Sequence, residues 1–100
     1  MRAKLENIEG IEYLLFTPEG MEYPTRIPVI TKGDRDKKNS WTWNGSLEKP
    51  TIRPSVRTGY INDIGEPVEI HYWLNDGVCA CLHDCTDGNS GKKLNLLENY

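Results

Sequence analysis

No helical period runs through this chain: Gly, Pro, Asn and Asp interrupt nearly every ten-residue window, so no long amphipathic helix can form. The apolar positions support a succession of short strands instead. Residues 11–17 (IEYLLFT) are rich in β-branched and aromatic side chains and stop at Thr17-Pro18-Glu19-Gly20, a turn sequence. Residues 26–31 (RIPVIT) form a second run, which Pro28 confines to an edge or a bulge. Residues 40–43 (SWTW) close on Asn44-Gly45, a pair suited to positive φ. Residues 50–57 (PTIRPSVR) alternate, with Ile52 and Val56 on one face and Thr51, Arg53, Ser55 and Arg57 on the other, which predicts one half-buried strand.

Residues 58–67 read as a turn-rich connection, and residues 68–74 and 78–82 form the clearest hairpin, around Asp76-Gly77. Residues 93–97 (KLNLL) end the chain's apolar runs as a strand or a short helix. Residues 32–39 (KGDRDKKN) lack an apolar anchor and are expected to be the most mobile loop. The expected class is all-β with at most a short helix, a small antiparallel sandwich or barrel of about six or seven strands.

A length of 100 residues fits one domain, spanning residues 1–100. The net charge of −3 argues against broad contact with a phosphate backbone, which needs surplus Lys and Arg. The N-terminal MRAKLENIEG has no secretory apolar run, and no stretch approaches the roughly 20 apolar residues of a spanning helix, so a cytoplasmic protein without membrane contact is expected. Three cysteines, an odd number, fit free thiols in a reducing compartment.

All three cysteines and one of the two histidines fall in CACLHDC, residues 79–85. With Asp76-Gly77 as a two-residue turn, Leu74 lies opposite Cys79 and Tyr72 opposite Cys81, on the face that carries Ile70. Both thiols then belong to the apolar layer. Thiols two apart on a strand also stand about 6.8 Å apart, too far to share one zinc without the backbone curling. No metal or cofactor is therefore expected, with zinc on Cys79, Cys81, His83 and Cys85 as the alternative. His71 beside Glu69 and Asp84 imitates an acid–base pair, but no Ser or Cys nucleophile is tied to it by a recognisable spacing, so no catalytic residue is assigned. Trp41 and Trp43 with Arg53 and Arg57 give a second alternative, base stacking on single-stranded nucleic acid, weighed against an acidic total.

The motifs WTWNGSLEKPT (residues 41–51), Pro54-Ser55, His71-Tyr72-Trp73 with Asp76-Gly77, and Asp84-Cys85-Thr86 with Gly91 resemble those of a family of small proteins frequent in phages and prophages, a domain of unknown function sometimes labelled ammonia monooxygenase. The resemblance implies zinc cysteines in relatives, but the corresponding places here read Thr17-Pro18-Glu19-Gly20, Ile70 and Asp87, leaving only His71 and Cys85. Together with the absence of a recognised catalytic constellation, it implies a phage-type protein that is not an enzyme, acting in the bacterial host cell by binding a bacterial protein partner, for example as an inhibitor of host defence. The contact candidates are Trp43, Arg53, Arg57, Tyr60 and Ile61, since exposed aromatic and Arg side chains dominate binding energy.

Overall fold

A computed structural model describes residues 1–21, 23–31, 40–98 and 100; the charged segment 32–39 lies outside the described residues. Nine strands form among them: β1 (Ala3–Ile8), β2 (Ile11–Phe16), β3 (Thr25–Ile30), β4 (Trp41–Trp43), β5 (Ile52–Arg53), β6 (Val56–Ile61), β7 (Pro67–Asn75), β8 (Val78–Cys81) and β9 (Lys93–Asn95). They make two sheets, β1-β2-β3-β4-β5 and β6-β7-β8-β9, antiparallel except for the β3–β4 pair. The class is the all-β sandwich that the apolar pattern predicts, open and not closed into a barrel.

Strand β7 shows how the sandwich is filled. Its even positions Val68, Ile70, Tyr72 and Leu74 are buried while the intervening ones are half-buried or exposed, the period of 2 that a strand with one covered face requires. Of these, Ile70, Tyr72 and Leu74 meet Leu14, Phe16, Ile27, Val29, Ile52, Val56, Cys79, Cys81, Cys85 and Leu96 in a single core. Ile52, fully buried, belongs to the first sheet, and Val56 to the second, so the core spans the point where the chain changes sheets. Ile52→Ala is expected to cost about 2–5 kcal/mol. A melting experiment should register this as a Tm lower by about 4–8 °C per kcal/mol.

Three expectations need correction. Residues 50–57 are not one strand: β5 stops at Arg53, the chain passes through a cis Arg53–Pro54 bond and Ser55, and β6 begins in the other sheet at Val56. Two prolines and an alternating pattern fit a continuous strand equally well, so periodicity cannot reveal the change of sheet. Residues 58–61 are not turn but the outer half of β6, which pairs with β7 as far as Ile61 opposite Pro67. The turn is confined to residues 62–66, closed by the Asn62 side chain, which accepts from the N–H groups of Ile64 and Glu66. Pro28 lies in an interior strand, but β4 pairs with β3 only from Val29 onward, so at Pro28 one side of the strand has no partner among the described residues.

The Asp76-Gly77 turn forms as the pattern predicts, with φ of 46° and 76°, and sets Leu74 opposite Cys79 and Tyr72 opposite Cys81. It also anchors the first sheet. Gly77 N–H donates to the Pro50 carbonyl at 2.8 Å, and Asp76 N–H donates to Thr51 Oγ1 at 2.8 Å. A Cβ on Gly77 would stand 3.3 Å from Glu48 O and Lys49 Cα, so the approach is close enough to need glycine. The Asn44 side chain holds the loop itself, accepting from Ser46 N–H and Thr51 N–H and donating to Lys49 O. The WTWNGSLEKPT motif thus locks β5, and the residues after it, against the end of β7.

A candidate serine–histidine–aspartate site

Opposite neighbours in β6 and β7 are Val56 with Tyr72 and Arg57 with His71. Val56 and Tyr72 point into the core, so Arg57 and His71 lie on the outer face of the sheet, and Ser55, one residue before Val56, belongs to that outer side as well. Ser55 Oγ stands 3.0 Å from His71 Nε2. The serine hydroxyl and the imidazole are thereby brought together from two motifs that are far apart in the chain.

The third member arrives along the other side of β7. After β8 the chain keeps in step with β7 instead of leaving it. Leu82 N–H donates to His71 O at 2.8 Å, and Thr86 N–H donates to Glu69 O at 2.9 Å. Thr86 Oγ1 accepts from Glu69 N–H at 2.8 Å. Between these, the Cys85 thiol donates to His71 O at 3.1 Å and accepts from His71 N–H at 3.3 Å. Cys85 therefore holds the backbone of the histidine, and its neighbour Asp84 comes to the ring: His71 Nδ1 is 2.9 Å from Asp84 Oδ2 and 3.2 Å from Oδ1.

The carboxylate decides the protonation pattern. An ionised Asp84 can only accept, so Nδ1 carries the hydrogen, and in a neutral imidazole Nε2 is left as the acceptor for the Ser55 hydroxyl. The hydrogen bond from His71 holds the Asp84 carboxyl below its usual range, with the charges of His71 and Arg57 acting in the same direction. A carboxyl lowered in the folded state adds stability that is fully present above its unfolded value of about 3.9 and is lost as the pH falls through the lowered value. Asp84→Asn should therefore flatten the acid limb of a plot of Tm against pH. An unchanged limb would show that the contact is not formed in solution.

Arg57 is placed beside the site by its register with His71 and is itself paired with Glu69, Nε to Oε2 at 3.3 Å. Arg53 is occupied as a clamp. Because β6 reaches only to Tyr72, the carbonyl of Leu74 has no strand partner on that side among the described residues, and Arg53 Nη1 donates to it at 3.3 Å while the guanidinium lies 5.1 Å from the centre of the Trp73 ring. Trp41 and Trp43 are half-buried against the core, donating from Nε1 to Ser55 O and Ser46 O. Of the four residues suggested for base stacking, both tryptophans and Arg53 are thus engaged within the fold. Tyr60 and Ile61 are exposed, at the far end of β6.

Cys79 and Cys81 are buried in the core, as the hairpin register predicts, and burial pushes their thiols up to about 12 and about 11. Such thiols stay protonated near neutral pH. His83 is exposed, and Cys85 is spent on the backbone of His71. Among the described residues no group of three or more His, Cys, Asp and Glu side chains could hold a metal ion.

A hydroxyl bonded to an imidazole whose other nitrogen is bonded to a carboxylate is the arrangement serine hydrolases use, here carried on an all-β sandwich. The chain belongs to the BubE family, described as a bacterial ubiquitination-like system serine protease, whose model matches residues 6–90. No curated protein and no solved structure matches it. Membership in a serine protease family overturns the expectation of a non-enzyme. That expectation rests on no Ser or Cys being tied to His71 by a recognisable spacing, and it fails because the pairing of β6 with β7, not spacing along the chain, brings Ser55 to His71. Among the described residues no helix is long and apolar enough to cross a membrane.

Proposed function

We propose that this chain is a serine protease that cleaves a protein of a bacterial ubiquitination-like system, with Ser55 as nucleophile, His71 as general base and Asp84 as the group that orients His71. The observation that carries the reading is the continuous relay, Ser55 Oγ to His71 Nε2 at 3.0 Å and His71 Nδ1 to Asp84 at 2.9 Å. As Ser55 Oγ attacks the scissile carbonyl, its proton passes to Nε2. The imidazolium that forms is stabilised by Asp84 and returns the proton to the leaving amine. The acyl-enzyme on Ser55 is then released by water, which His71 activates in the same way.

The bacterial protein partner expected from the sequence becomes, in this reading, a substrate. The chemistry does not depend on a phage origin or on a role against host defence. The test is to incubate the purified chain with the ubiquitin-like polypeptide of its host and to measure product masses. Hydrolysis at one bond, absent with His71→Ala, is the expected result; an intact polypeptide after prolonged incubation, together with no cleavage of any peptide, would overturn the assignment.

A further inference from the structure

We infer that the substrate docks as an added β-strand on the outer edge of β6, which delivers an extended stretch of polypeptide to Ser55. This rests on the protease reading of the site. Among the described residues strand β6 ends its sheet, with β7 as its one strand neighbour. The directions of its backbone groups follow from those of β7. The carbonyls of Glu69 and His71 accept from Thr86 and Leu82 and so point away from β6. In an antiparallel pair the bonded positions alternate, so Ile70 and Tyr72 turn towards β6 and bond Thr58 and Val56, their partners in register. The N–H and C=O groups of Arg57 and Gly59 must then face outward. Ser55 fits the same alternation, because its carbonyl is met from the outer side by Trp41 Nε1 at 3.3 Å.

Among the described residues the outward groups of Arg57 and Gly59 make no backbone hydrogen bond. They are spaced about 6.8 Å apart, the repeat at which an extended chain presents its own N–H and C=O groups. The row begins two residues after Ser55. A strand laid along it approaches the nucleophile as far as Trp41, whose Nε1 holds the Ser55 carbonyl, and attack requires an extended peptide bond of the kind strand addition presents. Gly59 lies close against β7, where a Cβ would stand 2.5 Å from Val68 O. The occupant this edge fits is therefore an extended polypeptide tail held mainly by its main chain, with the side chains of Arg57 and Glu69 beside it on the Ser55 face.

The experiment uses the full chain. A proteome-derived peptide library identifies a cleaved sequence, and the best peptide is remade with a single N-methyl group at each amide in turn. Methylation at alternate amides on one side of the scissile bond is expected to lower kcat/KM at least about tenfold, with the intervening positions near the unmodified value. Tolerance at every position, or losses confined to the residues flanking the scissile bond, would overturn strand addition. A fluorophosphonate probe separates this from failure of the protease reading. A chain that is labelled on Ser55 but cleaves no peptide overturns strand addition alone, and a chain that is neither labelled nor active overturns both.

Discussion

Ser55→Ala is expected to remove peptide hydrolysis almost completely while leaving the fold in place. Loss of the nucleophile from a relay of this kind typically lowers kcat by about a million-fold, because the covalent step no longer exists and only binding and electrostatic stabilisation remain. The structural cost should be small. Ser55 is half-buried, its side chain bonds the His71 ring, and its replacement forfeits one hydrogen bond of about 1 kcal/mol at most. The core residues on either side, Ile52 and Val56, are untouched. Steady-state kinetics with a cleaved peptide and a parallel melting curve check both halves. An inactive variant that has also lost several degrees of Tm would point to a scaffold role, and a variant retaining a tenth of the activity would exclude Ser55 as nucleophile.

Asp84→Asn is expected to lower kcat by about a hundred- to ten-thousand-fold with little change in KM. An aspartate in this position acts by holding the imidazole in one tautomer and by stabilising the imidazolium; an amide does the second poorly and can reverse the first. The lower part of the range applies here because the Asp84 side chain is 52% exposed, so water screens its charge more than in a sealed site. The variant should keep the anchoring bonds of its neighbours, since Leu82, Cys85 and Thr86 bind β7 through their own backbone and side-chain groups. A loss in KM alone would assign Asp84 to substrate binding. A proton spectrum adds a signature: the downfield Nδ1–H resonance of His71 should move or vanish in the variant.

The all-β class, the Asp76-Gly77 hairpin and the inward placement of Cys79 and Cys81 could be read from the sequence because each depends on local rules: strand period, turn chemistry and the parity of a two-residue loop. The site could not be read in this way, because its three members come from three strands or strand-like segments and meet only through pairing at a distance. One signal was present. Had the residues around Asn62-Asp63-Ile64-Gly65-Glu66 been taken as the turn of a second hairpin, counting outward would have set Arg57 opposite His71 and Ser55 on the same face as both. The change of sheet at Pro54–Ser55 hid this, since an unbroken strand over residues 50–57 satisfies the same apolar alternation.

The motifs behind the family resemblance also look different with the fold in view. Pro54-Ser55 contains the hydroxyl, His71-Tyr72-Trp73 the imidazole and Asp84-Cys85-Thr86 the carboxylate, and in the last of these Cys85 and Thr86 serve to dock the segment on β7. Cys85 occupies one of the places where the resemblance implied zinc ligands, yet its contacts here are with the backbone of His71. Its thiol does what a buried serine or threonine hydroxyl would do elsewhere, satisfying one N–H and one C=O of a strand whose partner has ended.

The most direct measurement is the mass-spectrometric mapping of a fluorophosphonate adduct on the native chain. A relay that activates one hydroxyl predicts a single phosphonyl group on Ser55, formed at a rate that collapses with His71→Ala. Adducts spread over Ser40, Ser46 and Ser90, or none at all on a folded chain, would contradict it.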